Sequence, residues 1–565
     1  MKISRIAIHN YRGIHDSDFR LKDYSLLVGP NNAGKSSVIN AIRAFYEKDG
    51  FKFKKDTDLP FIESSDKESW IEISFQLTDD EHNSLAIEYQ CPNKQLIVRK
   101  YFETDKKTAD GKTAINVIFG KKVDDTFSNE AFYGAKNVQS GKLGEIIYIP
   151  AVSKVDEHTK LTGPSALRDL LQIILSENLG ESDTYKKFNH AVSNFSDGIC
   201  KEKTKEGYSI KGFEKELNDF LKSWSVKFLF KVNTPSTTDI VKSMLDYDFQ
   251  DTTHGKFQEI ENFGSGFQRH FIYSLINVAS RYNSKKEKKK EKDFTPSMTL
   301  LLFEEPEAFL HPPQQDILAR SLMTVSKSEN KQVICSTHSP HFVSRNSQNI
   351  LGLIHFERKN GIVSTFQITE KDWDDIVDAN LMINKIAEKY KKMKNKLAEE
   401  DKKPEMEAVK QFLWLNPDRC GLFFANHVLL VEGPTEVGLI NKLIGDGKIK
   451  KSEYGLYVLD CLGKYNIHRF MNMIALLGIN HSVIFDDDNN KDEHQDINQL
   501  IEDTRNSSLT FKIVKIPGEL ESYLKVKCPC SDHRKPQHML YLYETGGIDI
   551  KKIDAFCKIV DSCIP

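Results

Sequence analysis

The sequence predicts an α/β fold in two successive parts, a large N-terminal domain with an inserted helical subdomain and a smaller C-terminal α/β domain. Three observations predict it. The apolar run Tyr24 to Val28 leads into a glycine loop and then into a helix pattern (Val38, Ile39, Ala41, Ile42), the strand–loop–helix order of an α/β unit. From about 165 to 245 the hydrophobic period becomes helical, with Leu167, Leu170, Leu171 and Ile174 on one face and Phe213, Leu217 and Phe220-Leu221 further on. From Phe423 onward short apolar strands again alternate with helices. The domain boundaries read as 1–375 with the insert at about 155–255, a helical linker at 376–420, and 421–565.

Size and composition bound the function class. At 565 residues the chain exceeds one core, and 39% apolar with 28% charged residues describes a globular protein. No stretch approaches the ~20 apolar residues that span a bilayer. The opening Met-Lys-Ile-Ser-Arg-Ile-Ala-Ile reads as an amphipathic strand, not a secretion signal. Nine scattered cysteines then point to reduced thiols and a cytoplasmic location. A net charge of −2 excludes a globally basic protein, so any nucleic-acid contact must be local.

In chain order, Ile3 to Ile8 alternates as a strand. Trp70 to Phe75, Leu96-Ile97-Val98 and Ile115-Asn116-Val117-Ile118 alternate as well, which predicts an antiparallel β-lobe. Residues 266–282 read as a helix, followed by the lysine-rich run 285–292. That run lacks interleaved aromatic residues and reads as a solvated loop. The charged segment 386–410 reads as a surface helix linking two domains.

The first motif is Gly29-Pro30-Asn31-Asn32-Ala33-Gly34-Lys35-Ser36, with Ser37 following, directly after a strand and before an apolar helix. In this pattern Gly29, Asn31, Asn32 and Gly34 bring backbone N–H groups to phosphates, Lys35 neutralises the β/γ oxygens, and Ser36 ligates Mg²⁺. Leu300 to Phe303 is a buried strand ending in Glu304 and Glu305. Glu304 is expected at the Mg²⁺ shell, from one methylene further out than the commoner Asp, and Glu305 is expected to polarise the attacking water. Val333 to Thr337 is another buried strand, placing His338 as a γ-phosphate sensor. Between these lies Asn262-Phe263-Gly264-Ser265-Gly266-Phe267-Gln268-Arg269, a turn before a helix. The order of the motifs is that of an ABC-type ATPase. Ser265, Gly266 and Gln268 of one subunit then complete the ATP site of another, which implies at least a homodimer.

The second constellation is acidic. Val428 to Val431 runs into Glu432-Gly433-Pro434-Thr435-Glu436, and Val483-Ile484-Phe485 into Asp486-Asp487-Asp488. Ligands of open α/β sheets gather at such strand ends. Carboxylates gathered there cannot stay ionised without counter-charge, which a divalent cation supplies. Glu432 and Glu436, four apart, share a helical face if the first turn includes both. Asp486 and Asp488 point to one site across a sharp turn, and Asp487 away from it. Cys528-Pro529-Cys530-Ser531-Asp532-His533 lacks a fourth ligand and reads as a surface loop rather than a zinc site.

Asn10-Tyr11-Arg12-Gly13, Tyr148-Ile149-Pro150-Ala151 and Glu304-Glu305-Pro306-Glu307-Ala308-Phe309-Leu310-His311-Pro312 resemble the RecF/SMC-like ATPases. Together with the acidic strand ends, which resemble a Toprim domain, the chain is similar over nearly its whole length to the OLD (overcoming lysogenization defect) family. No tyrosine-bearing cleavage domain accompanies the acidic strands, against a topoisomerase, and no four-cysteine zinc module precedes them, against a bacterial primase. The resemblance implies that residues 155–255 match the family's dimerisation insert. It also implies that Glu521, in Gly518-Glu519-Leu520-Glu521, is a further metal ligand, although the family's Ser-x-Glu is here Glu-Leu-Glu. Lys535, with Arg534 and Lys525 as alternatives, matches the family's basic catalytic residue.

The reading is an ATP-binding and ATP-hydrolysing DNA endonuclease dependent on Mg²⁺ or Mn²⁺. Metal held on Glu432, Glu436, Asp486 and Asp488 activates the water, with Glu432 also counted as catalytic. The family implies antiphage defence, often with an operon-encoded partner such as a helicase, or a reverse transcriptase with its nucleic acid. No membrane contact is expected. Two other readings share these motifs: an ATP-dependent DNA-binding or repair factor with a non-catalytic Toprim domain, and an ATP-gated toxin nuclease acting on RNA.

Overall fold

The computed structural model describes residues 1–47, 50–62, 64, 66–133, 142–151, 167, 171, 182–199, 202–222, 226–229, 239–240, 245–264, 266–268, 270–272, 274–275, 278, 294, 296, 298–343, 350–395, 399–488, 492–527 and 531–565. The chain forms two compact units, Met1–Ala151 with Lys292–Pro565, and Val152–Glu291.

The first unit opens with β1 (Lys2–Tyr11) and β2 (Ile14–Arg20), an antiparallel hairpin turned at Arg12-Gly13. β3 (Tyr24–Val28) follows, buried at every position. β4 (Ser69–Gln76), β5 (Gln95–Glu103) and β6 (Ile118–Gly120) extend the hairpin into a five-stranded antiparallel sheet, β2-β1-β4-β5-β6. The predicted β-lobe is therefore present, but its last strand begins only at Ile118. Asn116, with φ of +60°, breaks the alternation before it.

β7 (Glu145–Ile149) belongs to a second sheet of the same unit. In the other unit β8 (Phe249–Gln250) and β9 (Phe257–Gln258) form a short antiparallel ladder. Back in the first unit come β10 (Thr299–Glu304), β11 (Lys331–Ser336), β12 (Leu353–Lys359) and β13 (Ile362–Gln367). The second sheet has the order β13-β12-β3-β11-β10-β7 and is parallel except for the β12–β13 edge. Its central strands are near-continuous apolar runs because both faces are covered. The helix Lys35–Tyr46 lies between the two sheets. Its Val38, Ile39, Ala41, Ile42 and Phe45 join Ile6, Ile73, Leu302 and Ile354 in one core.

β14 (His427–Val431), β15 (Leu456–Asp460), β16 (His481–Asp486) and β17 (Thr510–Ile516) form a parallel sheet of order β15-β14-β16-β17. Its core runs through Leu429, Val431, Leu439, Ile484, Ile516, Leu520 and Phe556. After β14 the chain crosses to β15 on one side, and after β16 to β17 on the other. The crevice between the C-terminal ends of β14 and β16 is thus the switch point of the sheet, where such folds bind ligands.

The charged segment 386–410 is not a single surface helix. Glu370–Lys389 ends at Tyr390, a short turn Lys391–Lys394 follows, and a separate helix covers Pro404–Trp414. The reason is burial. Glu407 is 1% exposed and takes a two-pronged ion pair from Arg469, Nε–Oε2 at 3.0 Å and Nη2–Oε1 at 3.1 Å. Asn380 meets Asn472 at 2.9 Å. These helices are packed onto the C-terminal sheet's helix Ile467–Leu476, with polar groups turned inward that a periodicity reading assigns to solvent.

In the second unit, amphipathic helices cover Asp183–Ile199 and Ile210–Leu221. Phe213 and Phe220 lie exposed on the latter. Most of the predicted face Leu167–Ile174, the lysine run 285–292 and Cys528-Pro529-Cys530 lie outside the described residues. The six cysteines among the described residues are buried. No helix among them is long and apolar enough to cross a membrane.

Candidate functional site

The glycine loop is built by what surrounds it. Gly29 has φ of +141°, and a Cβ there would sit 2.3 Å from the Phe356 carbonyl oxygen of β12. Gly34, at φ of +107°, would press a Cβ to 2.8 Å from Val363. Only glycine lets the loop lie this close to its neighbours. Lys35 begins the helix Lys35–Tyr46 and is buried, its Nζ donating to Gly29 O and Pro30 O at 2.8 Å each. Burial pushes its pKa down to about 8, with Glu305 and Glu307 pulling it back up. The loop curls around its own cation.

A cleft of about 500 Å³ opens over the loop. Asn31, Asn32, Gly34, Lys35, Ser36, Ser37, Glu305 and His338 all line it. β10 and β11 run side by side in register, Glu304 opposite Ser336, which delivers Glu305 and His338 from adjacent strand ends. Their side chains stand 3.5 Å apart, His338 Nε2 to Glu305 Oε1. Burial, and secondarily the Lys35 charge, push His338 down to about 4, so the imidazole is neutral at neutral pH. Glu307, buried beneath, accepts from the His338 backbone N–H at 2.6 Å. Burial raises its pKa.

Glu304 is not brought to the cleft wall. Its Oε2 accepts from Tyr148 Oη at 2.6 Å, beneath the Arg43 guanidinium stacked 3.6 Å from that ring. Two arginines of the wall were not anticipated, Arg12 and Arg358. Arg12 sits at the β1–β2 turn with φ of +54° and is fixed by Asp58 at 2.8 Å. The Asn-Tyr-Arg-Gly string that supports the resemblance carries it, which is the signal that could have found it.

In the second unit, Gly266 and Gln268 begin a helix. Gln268 Nε2 donates to Phe263 O at 2.7 Å and Glu261 O at 3.2 Å, closing the turn before it. Phe249 packs against Phe263, Phe267 and Phe271 below that turn. Ser265 lies outside the described residues.

The acidic constellation gathers at the β14–β16 switch point. The helix after β14 begins at Pro434, so Glu432 precedes it and only Glu436 lies in the first turn. The two acids are therefore not on one helical face. They approach because strand end and helix start converge there. Glu436 Oε2 accepts from Gly433 N at 3.1 Å, Glu432 Oε1 from Asp486 N at 2.7 Å, and Asp486 Oδ2 from Leu520 N at 3.2 Å. Each acid is thus fixed through one oxygen to a backbone N–H. Asp487 turns away to Asn498, 3.0 Å from its Oδ1. Asp488, at φ of +48°, presents Oδ2 to Lys464 Nζ and His494 Nδ1, each at 3.3 Å.

Burial dominates the electrostatics of the cluster. It pushes Glu432 up to about 7, with Glu436 and Asp488 adding repulsion. Glu436 rises to about 8, again by burial first and then by Asp486 and Glu521. Asp486 rises to about 8 through burial and the charges of Glu432, Asp488 and Glu521. Glu521 is buried, with Lys535 Nζ 3.8 Å from its Oε1 at the start of the helix Lys535–Glu544. Glu519 is exposed. Among the described residues no group of three or more His, Cys, Asp or Glu is arranged, as it stands, to hold a metal ion. The chemistry of the donors nevertheless fits a hard divalent cation: oxygen ligands only, held close enough to repel one another.

In the acidic crevice, sequence reasoning missed Lys464. It is 3% exposed and donates to the Asp486 carbonyl from the turn after β15. A Gly-Lys pair at the C-terminal end of a parallel strand was the available signal.

Sheet, cleft and acidic crevice define an ATPase domain joined to a Toprim domain in one chain. The profile described as AAA ATPase domain matches residues 1–343, and that described as Overcoming lysogenization defect protein-like, TOPRIM domain matches 423–488. The chain belongs to the OLD family and is an enzyme with an ATPase domain and a Toprim nuclease domain. It is 27% identical to the Old nuclease of Escherichia phage P2, over 86% of this chain and 77% of that protein. It is 24% identical to Endonuclease GajA of Bacillus cereus strain VD045, over 86% and 75%. With the OLD nuclease of Thermus scotoductus it shares 21% identity over 86% and 82%.

Proposed function

We propose that this protein is an ATP-controlled DNA endonuclease whose hydrolytic site is the acidic crevice between β14 and β16, loaded with Mg²⁺ or Mn²⁺. The observation that carries the reading is the set of buried carboxylates Glu432, Glu436 and Asp486, with Asp488 and Glu521 beside them, at the switch point of a parallel sheet. Burial and mutual repulsion hold three of them near neutral pKa values. A bound divalent cation there supplies Lewis-acid charge and a water activated for attack on a phosphodiester.

The chain's own residues do the rest. Glu432, Glu436, Asp486, Asp488 and Glu521 hold the charge, three of them already anchored to backbone N–H groups. Lys535, partly exposed beside Glu521, stands where it can neutralise a scissile phosphate. In the other cleft Lys35 and the loop N–H groups take the ATP phosphates, and Ser36 takes their Mg²⁺. Glu305 polarises the water, and neutral His338 donates its ring N–H to the γ-phosphate. Glu304 acts from behind through Tyr148. The Gly264–Gln268 turn supports pairing of two copies across their ATP sites in a homodimer or larger assembly. The OLD relationship supports a role in antiphage defence, with or without an operon-encoded helicase or reverse transcriptase.

Incubation with supercoiled plasmid and Mg²⁺ or Mn²⁺, with and without ATP, tests this. Nicked or linear product from the wild type and none from Asp488→Ala is expected. Intact plasmid with continuing ATP hydrolysis would show a non-catalytic Toprim domain, and cleavage of tRNA alone would make the substrate RNA. Phage plating on cells carrying wild type or Asp488→Ala tests the defence role.

A further inference from the structure

Lys464 reaches the acidic crevice by a turn that looks built to deliver it. β15 ends at Asp460, whose Oδ1 accepts from Leu462 N at 2.7 Å. Arg419 grips the same residue, Nη2 to Oδ2 at 3.2 Å and Nε to its carbonyl at 3.1 Å. Leu462 and Gly463 then adopt φ of +59° and +103°. A left-handed leucine persists only where its surroundings fix it. Gly463 N donates to Glu432 O at 2.6 Å, and the next residue turns its side chain inward. Lys464 Nζ donates to the Asp486 carbonyl, to Asp487 O at 3.5 Å and to Asp488 Oδ2 at 3.3 Å. One turn therefore ties both acidic strand ends together, Glu432 by its backbone and Asp486–Asp488 by its lysine.

Two lysines serve this crevice, and their exposure separates their tasks. The Lys535 side chain is 26% exposed and 3.8 Å from Glu521, open to an incoming phosphate. The Lys464 side chain is 3% exposed, with its donors directed at the Asp486–Asp488 loop, and cannot meet a substrate. A buried ammonium is retained only where fixed acceptors and opposite charge surround it. The acceptors here are the backbone and side chain of the residues read as cation ligands.

We infer that Lys464 is a positioning residue: a resident counter-charge that holds the Asp486–Asp488 loop in its ligand-presenting form in the cation-free protein. It does by an internal ammonium part of what the divalent cation does on loading. The inference rests on reading the acidic crevice as a divalent-cation site, so the experiment has one arm independent of that reading.

In EDTA, Lys464→Met is expected to lower the melting temperature by roughly 5–10 °C, because it leaves buried carboxylate charge uncompensated. Adding Asp488→Asn to it cancels one negative charge and should return most of the loss, still in EDTA. Ca²⁺ should raise the melting temperature of Lys464→Met more than that of the wild type, since ion and ammonium neutralise the same charge. ATP binding at the glycine loop, followed in parallel, reports that the rest of the molecule is folded.

The inference is overturned if Lys464→Met melts like the wild type in EDTA. It is equally overturned if its loss is the same in EDTA and Ca²⁺ and untouched by Asp488→Asn, the mark of a merely structural lysine. Should Lys464→Met not fold, the double variant decides: its folding supports the inference, and its failure where Asp488→Asn alone folds refutes it. A wild type that neither binds nor is stabilised by Ca²⁺ removes the cation-site reading, while the EDTA arm still decides the role of Lys464.

Discussion

Raising the pH of the metal-free protein puts the acidic crevice under strain of predictable size. Glu432 is held at about 7, Glu436 and Asp486 at about 8, all by burial first and neighbouring acids second. Their ordinary values are 4.5, 4.5 and 3.8. Carboxyls with raised folded pKa values bind protons that the unfolded chain has released. Their contribution is therefore complete below the ordinary values and is lost as pH rises through 7 to 8. Because the three acids lie in one another's field, the loss is worked for a single proton with a folded pKa of about 8. Between roughly pH 6 and pH 8 it amounts to ~2.3 kcal/mol, at about 1.4 kcal/mol per pH unit until the folded pKa is approached. For a domain of this size that is a fall in melting temperature of about 5–10 °C. Calorimetry in EDTA across this range should show it. Saturating Ca²⁺ should flatten the profile, because cation binding displaces the protons, and Asp486→Asn should flatten it in EDTA. A melting temperature in EDTA that is constant or rises from pH 6 to pH 8 would refute the electrostatic account of the crevice.

Lys35→Ala should weaken ATP binding by at least ~100-fold, the equivalent of about 3 kcal/mol for a charged contact in a desolvated site; calorimetric titration with ATP measures it, and unchanged affinity would remove the loop assignment. Glu305→Gln should keep ATP affinity and slow hydrolysis by ~10²–10³-fold, the scale of losing a positioned general base. Phosphate-release kinetics read that split. Glu407→Gln should cost about 3–5 kcal/mol in urea unfolding, since it strands a buried Arg469 without its carboxylate. A cost below ~1 kcal/mol would mean that the helix Pro404–Trp414 is a peripheral linker after all.

The parts of the fold visible in the sequence are those with strong local signals. The glycine loop between β3 and its helix, the acid-tipped β10, the buried β11 and the β14 and β16 runs are apolar segments ending in chemistry-bearing turns. Periodicity and turn residues suffice to place them. What escaped depends on partners far along the chain. Glu407 looked like a surface charge until Arg469, 62 residues on, covered it. Glu304 looked like a cleft acid, but Tyr148, 156 residues earlier, holds it off the wall. The Gly463-Lys464 pair is a faint signal by itself, because the role of Lys464 comes from strand order: β15 lies beside β14, so the turn after it overhangs the crevice. The i, i+4 spacing of Glu432 and Glu436 predicted a shared helical face, but the helix starts after the first of them.

Two roles meet in this chain: hydrolysis at the β14–β16 crevice, and its control by ATP at the glycine loop. Plasmid cleavage by wild type, Lys35→Ala and Asp488→Ala, in Mn²⁺ with and without ATP, tests both most directly. Cleavage by the wild type should change with ATP, cleavage by Lys35→Ala should ignore ATP, and Asp488→Ala should cleave under neither condition. Cleavage by Asp488→Ala at the wild-type rate would contradict the first of these roles.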